Sequence, residues 1–422
     1  MKNIIKKLIL DFQRKIPINN VKTRELEIPL DSDLIVTLIG SRRTGKTFYF
    51  YSIINEMVRN NLEKEQIIYI NFEDERLNLE SENLQLIFDS YYELFPNQEK
   101  EIYLFLDEIQ EIPEWEKFVR RVYDHITKKI FLTGSSSKML SSEIASSLRG
   151  RTIEFKMNPL NFREYSHFRE IDVEDIYSSK NSAILKNAFK DYLNEGGYPD
   201  LINRDSIIRT KLLDSYFNVM IFKDLIERFE VKNHHVLKEF IKSLSESIGS
   251  EFSINKIYND FKSQGYRISK NSLYLYLDYC KSIFLYSTLE KFCYSSRKRR
   301  QANKKIYIMD TGLLNSITYR FSNDYGKLLE NLIFNLLKQS EKEVFYLGNG
   351  FECGFIVRNK NKLELIQVAY DISDEKTRKR EIKSLLKASE SYNDAELKII
   401  TFENEEIINT ENKAISVIPA WK

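Results

Sequence analysis

The sequence predicts an α/β protein that begins with a doubly wound parallel sheet over roughly residues 25–160. Three observations predict it. Short apolar runs alternate with amphipathic stretches. Those runs end in polar or acidic residues. The first run is followed directly by Gly40-Ser41-Arg42-Arg43-Thr44-Gly45-Lys46-Thr47, which spells G-x-x-x-x-G-K-T.

Taken in order, residues 33–39 read as a buried strand and 48–59 as a helix, with the glycine loop between them. Residues 66–72 form a second strand, followed by the acidic turn 73–75 and a polar helix over 83–95. Residues 101–107 are continuously apolar until Asp107, as expected of a parallel strand covered on both faces. A helix over 113–123, a strand over 129–134 and a last strand over 152–155 complete the unit. Ligands of such sheets sit at the carboxyl ends of the strands.

Residues 163–235 lose the strand pattern and read as mainly helical, interrupted at Gly196-Gly-Tyr-Pro199. Next come helices over 237–248, 253–261 and 269–280 with a turn at Gly265, then strand-like pieces over 283–289 and 305–309. Three helices and a β-ribbon predict a winged helix-turn-helix. The remainder is a separate α/β unit: helix 327–337, strands 344–347, 355–358 and 363–369, helix 377–391, and strands 397–402 and 414–418. The expected domains are therefore 1–162, 163–236, 237–318 and 319–422.

Composition narrows the function classes. The 422 residues carry 64 Lys+Arg against 62 Asp+Glu, so a nucleic-acid surface has to be local. With 25 Tyr, 27 Phe, 13 Gly and 7 Pro, the chain is expected to be well folded with few flexible linkers. Cys280, Cys293 and Cys353 fall at no metal-ligand spacing, and the four histidines form no paired motif, which argues against a zinc site. No apolar run reaches the ~18–20 residues that span a bilayer. Residues 1–10 read as an amphipathic helix rather than a signal peptide, so the expected location is the cytoplasm.

The chemistry concentrates in the first domain. Gly40 and Gly45 allow backbone turns that present successive N–H groups to phosphates at the start of a helix. Lys46 adds a point charge, and Thr47 offers a hydroxyl to Mg²⁺. Arg42 and Arg43 lie within the loop, where structural pairing is the favoured reading. Asp107 is placed to support Mg²⁺, and Glu108 to polarise the attacking water. No N-K-x-D motif follows, so ATP is the expected nucleotide. Asn71 closes the second strand, either as a plain strand end or as an amide that holds Glu108 away from water. Thr133-Gly-Ser135-Ser136 ends the neighbouring strand; a hydroxyl there, with Ser135 as the choice, would sense phosphate or orient water, or simply close a turn. Arg149 and Arg151 are expected on a loop at the same edge. There they serve as arginine fingers on a neighbouring subunit's ATP in a homo-oligomer, or as salt bridges at the rim.

In the winged helix-turn-helix, Ser269-Lys270-Asn-Ser272 opens the candidate recognition helix, and Arg297, Lys298, Arg299, Arg300, Lys304 and Lys305 form a basic wing. Such a wing contacts phosphates without sequence choice. The alternative is a protein-binding module with a solvated basic loop.

The motifs 40–47, Ile70-Asn-Phe-Glu-Asp74, Phe105-Leu-Asp-Glu-Ile-Gln110, Leu132-Thr-Gly-Ser-Ser136, Leu148-Arg-Gly-Arg151 and Pro159-Leu-Asn-Phe-Arg-Glu-Tyr165 together resemble a prokaryotic AAA+-type ATPase family with a C-terminal DUF4143 domain. Gly196-Gly-Tyr-Pro199 and Lys304-Lys-Ile-Tyr-Ile-Met-Asp310 look like its later hallmarks. The resemblance implies an AAA+-type sheet, a helical lid, a winged helix-turn-helix and a C-terminal unit similar to PD-(D/E)xK nucleases. Here that nuclease pattern is degenerate. Glu330 fits the helix acid, but the strand-end Asp position reads Gly354 and the Glu-x-Lys position reads Gln367-Val-Ala369. Glu352 and Glu364 are the substitutes at hand. The expected activity is a Mg²⁺-dependent ATPase that controls engagement of DNA by its C-terminal domains. A slow ATP-dependent switch that recruits a protein is the alternative, and an ATP-coupled nuclease is the third.

Overall fold

The computed structural model describes residues 1–135, 146–171, 176, 178–293, 295–318, 324–340, 342–348, 352–359, 362–392, 394–410 and 413–422. The chain divides into two compact units, residues 1–158 with 282–284, and residues 159–281 with 285–422.

The first unit is built on five strands: β1 (Ile35–Ile39), β2 (Ile67–Asn71), β3 (Tyr103–Asp107), β4 (Ile130–Gly134) and β5 (Thr152–Lys156). They form one parallel sheet in the order β2-β3-β4-β1-β5. Alternation along the strands separates two cores. Ile35, Ile68, Ile70, Leu104, Leu106 and Leu132 face α1 (Lys2–Lys15), α3 (Leu86–Leu94) and α4 (Trp115–His125). Val36, Leu38, Tyr69, Phe105 and Phe131 face α2 (Lys46–Arg59) through Tyr49, Phe50, Ile53 and Ile54. Side chains of period two on a sheet covered by helices on both faces must read as unbroken apolar runs, which is why these strands were legible. The helix after the glycine loop starts at Lys46, two residues earlier than the sequence pattern suggests. The amphipathic start becomes a 14-residue helix whose Ile5 and Ile9 are fully buried.

The second unit opens with α5 (Phe162–Phe168), α6 (Ser179–Glu195) and α7 (Ser206–Val219), the last continued by a π-helical stretch, Met220–Glu227. Next come α8 (His234–Glu246), β6 (Glu251–Phe252), α9 (Ile254–Ser263), α10 (Lys270–Ser282), β7 (Tyr286–Leu289), α11 (Ser296–Gln301) and β8 (Lys304–Ile308). The three strands pair antiparallel in the order β6-β8-β7. Residues 296–301, read from sequence as part of an extended wing, form a short helix between β7 and β8. Ser295 caps it by accepting from the Lys298 N–H.

Asp310 ties the helical part to this sheet. Its carboxylate accepts from Gly197 N at 2.7 Å and from Leu313 N at 2.9 Å, capping α12 (Thr311–Ile317). The two sequence hallmarks, Gly196-Gly-Tyr-Pro199 and the segment from Lys304 to Asp310, are thus the two halves of one contact.

After α13 (Tyr325–Gln339) the chain forms β9 (Glu343–Gly348), β10 (Glu352–Asn359), β11 (Lys362–Val368), α14 (Glu375–Ser389), β12 (Glu396–Thr401), β13 (Glu406–Asn409) and β14 (Ala414–Pro419). They make a mixed six-stranded sheet in the order β13-β14-β12-β11-β10-β9. No helix among the described residues is long and apolar enough to cross a membrane.

Candidate nucleotide site

The glycine loop follows β1 at the carboxyl edge of the first sheet. A Cβ on Gly40 would sit 2.2 Å from the Met157 carbonyl oxygen, so only glycine lets the loop pass β5 so closely. Gly45 takes φ 95°, the left-handed region, as it turns into α2. Arg24 braces the loop from outside, donating to the carbonyls of Thr44 and Asn158 at 2.8 Å each.

Lys46 is almost fully buried. Its ammonium donates to the carbonyls of Gly40 and Ser41, both at 3.1 Å, and lies 3.3 Å from Glu108 Oε1. Thr47 donates its hydroxyl to Asp107 Oδ2 at 2.8 Å. Tyr69 donates to the same oxygen at 2.7 Å, and Thr133 donates to Oδ1. The Glu108 N–H returns to the Thr133 hydroxyl at 2.9 Å. Side chains from α2, β2 and β4 therefore converge on one buried carboxylate at the end of β3.

Burial alone would raise the Glu108 carboxyl; the Lys46 ammonium, the Gln110 amide and Arg42 outweigh it and hold the group below its ordinary value. Burial pushes Asp107 up, and the neighbouring Glu108 charge adds to that against the three hydroxyl donors. A divalent cation at Asp107 would reverse the push. The donor set suits Mg²⁺, which takes one or two protein oxygens and completes its shell with phosphate and water. Among the described residues there is no cluster of three or more His, Cys, Asp or Glu that would favour another metal.

Asn71 does not take Glu108. Its side-chain oxygen accepts from the Glu73 N–H at 2.8 Å in a local turn. The amide on Glu108 is that of Gln110, at 2.5 Å from Oε2 and 3.4 Å from the Ser135 hydroxyl. Ser135 is thus buried at the site edge through Gln110. Ser136 lies outside the described residues. Arg42 pairs with Glu73 at 2.5 Å, and Arg43 is exposed with φ 66°.

Arg149 and Arg151 are not at the phosphate edge. They precede β5, which runs parallel to β1 with Ile35 opposite Thr152, so they sit at the amino edge. The length of a strand, about 15 Å, separates the two edges. Arg151 pairs with Asp124 at 2.6 Å and lies 4.9 Å above the Tyr123 ring. Arg149 is exposed.

Of the basic residues in the second unit, Arg297, Lys298 and Arg300 are exposed. Lys304 is paired with Glu290 at 2.8 Å, and Arg299 with the same carboxylate at 3.4 Å. Lys305 is buried against Glu330 at 3.2 Å. Lys270 lies 5.9 Å from the Tyr274 ring at the start of α10. The degenerate nuclease positions do meet, since Gly354 N donates to Gln367 Oε1 at 2.6 Å. Glu330, however, is occupied by Lys305 and by the Tyr307 hydroxyl at 2.8 Å. Glu364 is bonded to Lys398 at 2.6 Å, and the Glu352 side chain lies outside the described residues.

Residues 32–166 match the family model of an AAA domain. Residues 186–324 match a domain of unknown function, DUF8612, which replaces the DUF4143 assignment suggested by the sequence motifs. Uncharacterized protein MJ1544 of Methanocaldococcus jannaschii is 35% identical over 436 residues, covering 100% of this chain and 95% of the relative. The chain belongs to the family of MJ1544. An uncharacterized protein of Haemophilus influenzae is 27% identical over 347 residues, covering 82% of this chain and 84% of its own. Among solved structures, the Aeropyrum pernix ORC1 protein in complex with DNA covers 75% of this chain and 92% of its own at 12% identity and TM-score 0.30. AMPPCP-bound DnaA from Aquifex aeolicus covers 65% of this chain and 86% of its own at 13% identity and TM-score 0.26. At those scores neither likeness bears on function.

Proposed function

We propose that the protein is a Mg²⁺-dependent ATPase that uses nucleotide state to control engagement of DNA by its second unit. The observation that carries the enzymatic half is the Lys46–Glu108 contact beside the Thr47–Asp107 pair. A γ-phosphate competes for the Lys46 ammonium, and as Lys46 turns to phosphate it releases Glu108. Glu108, more basic once the Lys46 ammonium has left it, then accepts the proton of the attacking water. Gln110 and Ser135 orient that carboxylate. Mg²⁺, held by Thr47 and Asp107, would neutralise the phosphate charge. The exposed Arg149 suits a contact with a neighbouring subunit better than the paired Arg151.

Support for the DNA half is the helix–strand–helix–helix–hairpin order with strands β6-β8-β7, which fits a winged helix-turn-helix, and the exposed Arg297, Lys298 and Arg300. The neutralisation of Lys304 and Arg299 by Glu290 favours the second reading, a protein-recruiting switch. ATP turnover with and without duplex DNA separates them. Stimulation by DNA that disappears when Arg297, Lys298 and Arg300 become alanine supports the first; turnover indifferent to DNA sinks it. Losing three phosphate contacts should also flatten the salt slope of binding by about 3.

A further inference from the structure

Tyr69 belongs to none of the motifs of the nucleotide site, yet its hydroxyl reaches the carboxylate at its centre. It lies on β2, beside β3, with its side chain on the α2 face of the sheet. Its ring is stacked on Phe12 of α1 at 4.2 Å, and its hydroxyl lies 3.4 Å from that of Tyr51 on α2. The same hydroxyl donates to Asp107 Oδ2 at 2.7 Å, opposite the Thr133 donation to Oδ1. Both oxygens of Asp107 are thus gripped before any phosphate is considered.

We propose that Tyr69 is a positioning residue for magnesium, fixing the rotamer of Asp107 through a hydroxyl that α1 and α2 hold in place. The inference rests on the nucleotide-site reading above. The physical reason is that Mg²⁺ demands near-ideal octahedral geometry, so a carboxylate that turns freely binds it poorly. Groups that orient a ligand without touching the metal commonly change metal affinity by about 10–100-fold. A phenol hydroxyl 2.7 Å from a carboxylate oxygen is the donor of the pair. Tyr69 donates rather than accepts, which leaves the remaining lone pairs of Asp107 for the metal side.

The test uses the full chain and a fluorescent ATP analogue, with binding measured across a magnesium titration and again in EDTA. Tyr69→Phe keeps the ring that stacks on Phe12 and removes only the hydroxyl. We expect its half-saturating magnesium to rise about tenfold, at the low end of that range. Affinity in EDTA should stay at the wild-type value, and the melting temperature should fall only by what the loss of one buried hydrogen bond costs. Tyr51→Phe should shift the magnesium dependence by much less, because Tyr51 reaches Asp107 only through the Tyr69 hydroxyl. An unchanged magnesium requirement in Tyr69→Phe, or the same shift in Tyr51→Phe, overturns the proposal. Wild-type protein that binds the analogue but ignores magnesium overturns this inference alone. Wild-type protein that binds no nucleotide overturns the site reading beneath it as well.

Discussion

Replacing Lys46 by alanine removes the cation that keeps Glu108 charged, and the consequence should appear in stability before any nucleotide is added. The side chains of the pair are 4% and 9% exposed, with the ammonium 3.3 Å from Oε1. Removing one partner of a buried pair leaves an uncompensated charge and costs about 3–5 kcal/mol. The carboxylate here keeps Gln110 and a nearby Arg42, so the lower end, about 3 kcal/mol, is expected. The sign of the pH dependence follows. In the wild type Glu108 titrates below 4.5, so its contribution is present above that value and lost as pH falls through the depressed one. Without Lys46, burial governs, the group titrates above 4.5, and stability now declines as pH rises. The penalty of Lys46→Ala should therefore grow between pH 5 and 7. Adding Glu108→Gln should recover about 2 kcal/mol, since the amide is neutral. The assay is urea unfolding followed by Trp115, which is buried in the first unit, in a Trp421→Phe background that leaves it the sole tryptophan. A penalty equal at both pH values and untouched by Glu108→Gln would refute the reasoning.

Asp310 invites the opposite experiment. Burial pushes its carboxyl up to about 6 against N–H donors from Gly197, Leu313 and Gly312, so its contribution is complete below 3.8 and lost as pH rises through about 6. Unfolding of the second unit, followed by Trp421, should come at higher urea at pH 5 than at pH 7, and Asp310→Ala should erase that difference while leaving buried N–H groups unpaired at a cost of about 2–4 kcal/mol. Gly312→Ala places a Cβ 2.0 Å from the Glu195 carbonyl oxygen, where backbone must move; a loss of about 2 kcal/mol or more is expected, and a melt at the wild-type midpoint would show that the close approach is relaxed in solution. Arg151→Ala should cost stability through its Asp124 and Tyr123 contacts while sparing turnover per folded molecule, because it lies at the edge away from phosphate.

Much of the first unit was legible because its signals are local. A glycine loop between a strand and a helix, and an acid pair at the end of an apolar run, announce themselves within a few residues. The contacts that organise the site run across strands. Tyr69 looked like one more apolar strand residue, and nothing in its neighbours shows that its hydroxyl meets Asp107. Asn71 has the right chemistry to hold Glu108, but the turn after β2 consumes its oxygen, and Gln110, two residues from Glu108, is nearer. Arg149 and Arg151 precede the last strand of a parallel sheet, which already places them at the amino edge; grouping them with the strand ends overlooked that. Further along, β6 has only two residues and β13 is half exposed, too short or too polar to stand out. The helix over 296–301 was hidden because four consecutive basic residues read as solvated loop, while Ser295 supplied an unnoticed cap.

The most direct test of the nucleotide-site account is to compare Glu108→Gln with the wild type in one preparation, measuring Mg²⁺-ATP affinity and steady-state turnover together. The account predicts that the variant retains ATP binding, since Lys46 and the loop backbone are intact, and loses turnover by about 100-fold or more, as expected when a general base is removed. A Glu108→Gln protein that hydrolyses ATP at the wild-type rate would contradict it.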